Sequence, residues 1–303
     1  MYVPPKLARQ IQESLGETGV AWLAALPALA AGLAERWQLT LGEPFELSFN
    51  YVCRARRSDG TDAVFKIGQW GSEIDQEIRA LQAYSGQGSC HLLAADEALG
   101  AMLLERVRPG VMLRSLAAQD DDEATRIGAR QMRKLWRSVS ELEGSAGLPS
   151  LAEWFRAFER HRTFYGGPGP FSERTLSHAE GVVRELFASV ETEVLLHADF
   201  HHDNLLTAER EPWLAIDPHG TIGDPGYEVG PFLLNPWPQD GAPKSAQLLA
   251  RRLDIFTEEL AYDRERLRLW GVAHAVLSAC WSAENHGTEW RNAIIAAERL
   301  MQR

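Results

Sequence analysis

The chain has 303 residues, which is long enough for one large domain or two lobes that bury a core. Hydrophobic residues make up 45% and charged residues 24% of it, proportions that exclude collagen-like, disulfide-scaffold and disordered proteins and are typical of a soluble enzyme. The 31 Lys and Arg residues against 42 Asp and Glu give a net charge of −11, which repels phosphate backbones, so nucleic acid is not an expected partner.

The first long apolar stretch covers residues 20–34 and predicts a helix packed on a core. Its large side chains recur at helical spacing, and Pro27 predicts a break or kink. Glu13 and Glu17 precede the stretch, which is the wrong flank for a secretory signal. No apolar run reaches the ~18–20 residues that span a bilayer, so no membrane association is expected.

Residues 45–104 have a strand-like pattern interrupted by one helix. Two strands are predicted to join at Ser58-Asp59-Gly60, since Asp-Gly tolerates positive φ. An amphipathic helix follows over residues 72–84, and then a buried strand begins at Ala101. Pro109-Gly110 breaks the pattern, which predicts an N-terminal lobe over residues 1–107 and a C-terminal lobe over 108–303.

The second lobe is predicted to be mainly helical. Helices are expected over residues 122–142, 150–162, 173–189, 244–260, 263–284 and 288–301. The exception is residues 194–217, a short apolar run, a polar loop and a second hairpin. If Leu206 faces Ala215 in that hairpin, antiparallel pairing places Asn204 opposite Asp217.

The polar loop and hairpin carry the strongest chemical signal in the chain. Asn204 and Asp217 offer the oxygen ligands that Mg2+ prefers. Asp199, five residues before Asn204, can accept or orient the proton of an attacking hydroxyl. The spacing His-x-Asp-x-x-x-x-Asn, followed after a hairpin by Ile-Asp, is that of a kinase catalytic loop and its metal-binding aspartate.

Several segments together resemble the aminoglycoside phosphotransferases, in the branch of streptomycin kinases and hydroxyurea phosphotransferases. These are HADFHHDN (197–204), AIDPHGTIGDPGYEVG (215–230), DGTDAVFKIG (59–68), LLERVRPGVML (103–113), and the stretches 21–39 and 278–300, so the resemblance covers nearly the whole chain. It implies an α+β, two-lobed protein-kinase-like fold, with an antiparallel sheet plus helix in the N-terminal lobe and a mainly helical C-terminal lobe.

The resemblance also implies an activity, which is ATP- and Mg2+-dependent phosphorylation of a streptomycin-type aminoglycoside, hence antibiotic resistance. Asp199 resembles the catalytic aspartate, and Asn204 and Asp217 resemble the magnesium ligands. Lys66 resembles the strand lysine that holds the α- and β-phosphates. Glu77 resembles its glutamate partner, with Glu73, one turn earlier, as the rival.

Other roles follow from the same resemblance. Backbone from Glu105 to Val107 is expected to hydrogen-bond the adenine edge. No G-x-G-x-x-G precedes Lys66, so the region around Ser48 would cover the phosphates. The residues expected to support the catalytic loop are His197, His201 and Asp224. Ala198 and Glu228 stand where many relatives carry Gly and Asp, which bears on loop geometry.

The expected acceptor is a small, cationic molecule, and the net charge of −11 agrees with it. Acidic and indole side chains suit a guanidinium group. The expected pocket residues are Glu153, Trp281 and Glu284, together with Glu159 and Trp290.

Four alternatives or further expectations stay open. The chain could phosphorylate another small hydroxylated metabolite. The His and Asp residues of 197–203 could form a dinuclear metal hydrolase site, although no second cluster of such residues supplies further ligands. The chain could also be a nucleotide-binding pseudokinase. Its three cysteines, Cys53, Cys90 and Cys280, are odd in number and widely spaced, which indicates neither disulfides nor a zinc finger and favours the cytoplasm.

Overall fold

The structure, a computed structural model, describes residues 2–45, 50–69, 74–142, 147–236, 245–285 and 287–302, except for the side chain of Glu141. Ser48 and Glu73, two residues with predicted roles, lie outside this part of the chain. The chain divides into two compact units, Met1–Val107 and Arg108–Arg303.

Within the described residues of unit 1, five strands form one antiparallel sheet in the order β1-β2-β3-β5-β4. The strands are β1 (Leu39–Pro44), β2 (Tyr51–Arg57), β3 (Asp62–Ile67), β4 (Leu92–Asp96) and β5 (Ala101–Glu105). The helices are α1 (Pro5–Arg36) and α2 (Ile74–Tyr84). The predicted hairpin forms between β2 and β3, and Gly60 in its turn has a φ of 84°. β1 and β4, which were not predicted, lie at the two edges of the sheet.

Helix α1 packs on this sheet through Leu26, Ala30 and Leu33, whose side chains join Phe65 in one buried cluster. The predicted break at Pro27 is wrong, because the helix continues through that residue and the non-helical backbone lies at Gly16 (φ 55°, ψ −132°). Glycine adopts such dihedrals at low cost, which explains the position of the kink. By length and composition alone α1 could cross a membrane. Of its most apolar 18-residue stretch, 22% is buried within the protein.

Unit 2 is mainly helical, as predicted. Its helices are α3 (Arg114–Ala117), α4 (Asp121–Leu135), α5 (Leu151–Phe155), α6 (Ala157–Tyr165), α7 (Glu173–Ala188), α8 (Val229–Leu234), α9 (Ala246–Leu260), α10 (Arg264–Glu284) and α11 (Trp290–Met301). Side chains that accept a backbone N–H cap four of them, namely Asp120, Ser172, Ser245 and Asp263. Helix α10 is buried over most of its length and packs against α6, α7, α8, α9 and α11.

Short strands in unit 2 flank residues 197–204, the candidate catalytic loop. They are β6 (Pro109–Met112), β7 (Arg137–Ser138), β8 (Val194–Leu196), β9 (Leu205–Ala208), β10 (Trp213–Ala215) and β11 (Thr221–Gly223). They pair as β10-β9-β6 and β11-β8-β7.

Two helix predictions in unit 2 need correction. The helix predicted to reach residue 142 ends at Leu135, because Arg137 and Ser138 pair with Leu195 and Val194 of β8. The helix predicted over 150–162 is two helices, α5 and α6, separated at Arg156.

Candidate active site

The candidate catalytic loop begins where the buried strand β8 ends. Glu228 braces this point, because its carboxylate accepts the backbone N–H of His197 at 2.8 Å and that of Ala198 at 2.7 Å. All three residues are buried. Ala198 has a φ of 71°, a left-handed conformation that costs a residue with a Cβ about 1–2 kcal/mol. The two hydrogen bonds therefore hold the backbone before Asp199 in a strained shape.

Asp199 is held by one of its two carboxylate oxygens. Its Oδ2 accepts from Asn204 Nδ2 at 3.1 Å and lies 3.4 Å from His201 Nε2 and 3.9 Å from His219 Nε2. Burial acts to raise the pKa of Asp199, but the hydrogen bond from His201 and the nearby imidazoles hold that pKa below its usual value. Asp199 is thus ionised at neutral pH, and its other oxygen, Oδ1, can accept a proton from a hydroxyl group.

The buried histidines of the loop have structural partners. His197 Nε2 donates to the Ile216 carbonyl at 2.8 Å, since a carbonyl can only accept. Burial lowers the pKa of His197 to about 4, so its ring is neutral. His202 is buried against the ring of Phe232, with centroids 3.8 Å apart. Among the described residues, no group of three or more His, Cys, Asp and Glu is arranged to hold a metal ion.

The hairpin after the loop brings Asn204 and Asp217 to its open end, one residue out of the predicted register. Leu206 pairs with Leu214 and Leu205 with Ala215, and Ile216 donates its N–H to the Asn204 carbonyl at 2.9 Å. Asn204 therefore faces Ile216, and the prediction that it opposes Asp217 is wrong. The shift follows from the turn between β9 and β10, which is closed by a hydrogen bond from the Ala208 N–H to the Pro212 carbonyl.

Both residues at the open end can offer oxygen to a cation. Asp217 has a φ of 61°, a left-handed conformation that aspartate tolerates better than most residues. Asn204 is buried, and its Nδ2 donates to the backbone and side-chain oxygens of Asp199, so its Oδ1 is left to bind a ligand. Oxygen donors of this kind fit Mg2+.

Asp224 supports the segment that leads to Glu228. Its Oδ1 accepts the Gly226 N–H at 2.7 Å, and its Oδ2 accepts from Arg266 Nε at 2.9 Å. These contacts fix the turn before Glu228, so Asp224 reaches the catalytic loop indirectly, through Glu228.

Unit 1 contains a buried ion pair on strand β3. Lys66 Nζ lies 2.6 Å from Glu77 Oε2 of helix α2, and the two side chains are 6% and 7% exposed. An ammonium group held this way in a nearly dry environment is costly to bury without its carboxylate.

The segment expected to bind adenine lies at the end of β5. The Glu105 N–H donates to the His91 carbonyl, and the Glu105 side chain accepts the His91 N–H, both at 2.9 Å. Val107 is buried at the end of unit 1. The Glu105 N–H is thus used within the sheet, and adenine binding by this segment stays a prediction.

The predicted acceptor residues differ in their surroundings. Trp281 is half-buried, and Glu284, one turn later on α10, lies 3.6 Å from Arg160. Glu153 is exposed on α5. Glu159 is exposed on the separate helix α6, and Trp290 is half-buried on α11.

Three residues with contacts at this site were not assigned from the sequence. From the sequence, Glu228 was expected only to alter the loop geometry, because many relatives carry Asp at this position. Its place at the end of Gly-Asp-Pro-Gly-Tyr-Glu is the sequence feature that could have identified its role. His219 and Trp154 had no sequence signal. Trp154 lies between His219 and Trp281, with ring centroids 5.7 Å and 5.5 Å away.

Comparison with known proteins gives a family and several relatives. A family model described as aminoglycoside/hydroxyurea antibiotic resistance kinase matches residues 36–286. A streptomycin 6-kinase from Streptomyces griseus is 36% identical over 287 residues, covering 94% of this chain and 92% of the relative. A streptomycin 6-kinase from Streptomyces glaucescens is 35% identical, covering 93% and 91%. A hydroxyurea phosphotransferase from Kitasatospora aureofaciens is 32% identical, covering 93% and 81%.

Solved structures share the fold at lower identity. The aminoglycoside phosphotransferase APH(4)-Ia matches with a TM-score of 0.62 and 16% identity, covering 91% of this chain and 97% of that one. A choline kinase from Streptococcus pneumoniae matches with a TM-score of 0.63 and 13% identity, covering 91% and 100%. The predicted protein-kinase-like fold is confirmed by these matches.

Proposed function

Because the chain belongs to the aminoglycoside/hydroxyurea antibiotic resistance kinase family, we propose that it transfers the γ-phosphoryl group of ATP to a hydroxyl of a streptomycin-type aminoglycoside. The observation that carries this proposal is Asp199, an ionised carboxylate with one oxygen held by Asn204 and His201 and the other available. Such a group suits the orientation of an attacking hydroxyl.

Asp199 acts on the acceptor. Its Oδ1 accepts a hydrogen bond from the acceptor hydroxyl and takes the proton as the hydroxyl oxygen bonds to the γ-phosphorus. The bond between the γ-phosphorus and the bridging oxygen breaks, and ADP leaves with that oxygen. A carboxylate of low pKa is a weak base, which matches a reaction in which positioning contributes more than proton abstraction.

The remaining charged groups act on the nucleotide. Lys66, oriented by Glu77, holds the α- and β-phosphates. Asn204 and Asp217 would hold Mg2+ through their side-chain oxygens. When bound, Mg2+ neutralises charge on the phosphates and orients them. Asn204 thereby has two roles, since its amide nitrogen also holds Asp199.

The acceptor is proposed from the relatives and from charge. Two relatives that each cover more than nine-tenths of this chain are streptomycin 6-kinases, so we propose the 6-hydroxyl of streptomycin as the phosphorylated group. The net charge of −11 favours a polycationic acceptor. A relative named hydroxyurea phosphotransferase makes hydroxyurea the second candidate.

The cytoplasm is the proposed location. The reaction requires ATP, and Cys53, Cys90 and Cys280 are buried, odd in number and widely spaced along the chain, which agrees with a reducing compartment.

A coupled assay of ADP release tests the proposal, with streptomycin, other aminoglycosides, hydroxyurea, simple sugars and amino alcohols as acceptors. We expect release to depend on streptomycin and Mg2+, and NMR of the product to place the phosphate on the 6-oxygen. Release with another acceptor alone would overturn the proposed substrate. Hydrolysis that requires zinc but no nucleotide would overturn the kinase, and so would tight ATP binding without turnover on every acceptor.

A further inference from the structure

Three aromatic side chains of unit 2 form what we call the aromatic corner, consisting of Trp154 on α5, Trp281 on α10 and His219 between β10 and β11. The ring planes of Trp154 and Trp281 are inclined at 71° to each other, and those of Trp154 and His219 are inclined at the same angle. All three side chains are half-buried. By contrast, Trp270 and Tyr227, which pack behind them, are fully buried. The corner is therefore less buried than the core cluster behind it, and solvent reaches its three residues.

The corner adjoins the catalytic carboxylate. His219 Nε2 lies 3.9 Å from Asp199 Oδ2, and the His219 N–H donates to the His197 carbonyl at 2.8 Å. This backbone bond fixes His219 against the catalytic loop. Trp154 is therefore separated from Asp199 by a single side chain, and a molecule whose hydroxyl meets Asp199 can also contact the indoles.

An acidic side chain, Glu284, lies on the same helix as Trp281 and is paired with Arg160. Glu284 follows Trp281 by three residues on α10, which places both side chains on one helix face. Its Oε1 is buried and has no hydrogen-bond partner among the described residues, while its Oε2 lies 3.6 Å from Arg160. A buried carboxylate oxygen of this kind gains from a donor that a ligand brings.

We propose that the aromatic corner binds a guanidinium or ammonium group of the acceptor, and that Trp154 determines the preference for cationic acceptors. Ring faces attract cations within about 6 Å of their centroids, and two indoles at a steep angle can both contact one planar guanidinium. The inference rests on the proposed phosphotransferase function, since it assigns the acceptor side of the same site. It makes the corner, together with Glu284, the element that separates streptomycin from neutral alcohols.

The first test compares Trp154→Leu, Trp154→Phe and the wild type. Leucine retains apolar volume but removes the ring, so KM for streptomycin is expected to rise about threefold to thirtyfold, the equivalent of one cation–π contact. KM for ATP is expected to stay constant, and Trp154→Phe is expected to recover part of the loss. Trp22→Leu is the matched control, because this half-buried tryptophan packs on the core cluster of unit 1 and has no assigned role in binding. Equal KM for streptomycin in the wild type and Trp154→Leu would overturn the inference and leave the proposed function standing.

The second test measures binding without catalysis. Calorimetry with streptidine, the bis-guanidino cyclitol of streptomycin, is compared with calorimetry using neutral inositol. We expect streptidine to bind the wild type and to bind Trp154→Leu about threefold to thirtyfold more weakly, while inositol binds neither. This result in a protein that does not phosphorylate streptomycin would support the corner and overturn the proposed function. Equal binding of streptidine and inositol, or no binding of either, would overturn the corner.

Discussion

Replacing Glu228 with glutamine tests how the catalytic loop is held. The carboxylate accepts two buried N–H groups, one on each oxygen, whereas glutamine offers one accepting oxygen. One buried amide is then left unsatisfied, which costs about 1–3 kcal/mol. The loss of this hydrogen bond lets Ala198 relax from its left-handed conformation, which moves Asp199. If the full free energy appears in the activation barrier, kcat falls about fivefold to a hundredfold.

The assay combines urea unfolding with ADP release from ATP and streptomycin at about pH 8, where Glu228 is ionised. Ala198→Gly is the companion change, because glycine adopts positive φ without strain. In the double variant, Ala198→Gly is expected to restore part of kcat lost in Glu228→Gln. Glu185→Gln, at an exposed position of α7, is the matched control and is expected to change neither measurement. A Glu228→Gln protein with wild-type stability and kcat would refute the reasoning.

Three further outcomes follow from the site. Burial raises the pKa of Glu228 to about 7, so the folded chain holds this proton more tightly than the unfolded chain does. The unfolding free energy of the wild type relative to Glu228→Gln is therefore expected to fall by roughly 3 kcal/mol as pH rises from about 4.5 to about 7, and a flat difference across denaturation curves would contradict this. Glu77→Gln removes the buried partner of Lys66 and is expected to lower the unfolding free energy by about 3–5 kcal/mol. Glu97→Gln, which breaks an exposed ion pair, is its control and should cost at most about 1 kcal/mol. Asp217→Ala is expected to weaken the Mg2+ dependence of ATP affinity in calorimetry, and an unchanged dependence would exclude Asp217 as a ligand.

The contact between Asp199 and Asn204 was predictable because both lie in one loop. Their spacing to Asp217, across one hairpin, also predicted that all three lie close together. The register was missed by one residue, since it depends on the closing bond between Ala208 and Pro212. Periodicity cannot report such a bond, and a shift of one residue changes which side chains face each other.

Contacts between residues far apart in the chain could not be predicted from the sequence. Glu228 lies 31 residues from His197 along the chain, and only the folded structure shows its carboxylate on the loop amides. Trp154, His219 and Trp281 come from three separate elements. Helix α4 ends early for a similar reason, because pairing of Arg137 with β8 overrides the helical pattern.

The central claim, that Asp199 orients the acceptor for phosphoryl transfer, is tested most directly by single-turnover transfer from γ-labelled ATP to streptomycin. The wild type and Asp199→Asn are compared, and Mg·ATP affinity is measured in the same samples. We expect transfer to slow by about 10²–10⁴-fold in the variant while Mg·ATP affinity stays the same. Equal transfer rates in the two proteins would contradict the assignment.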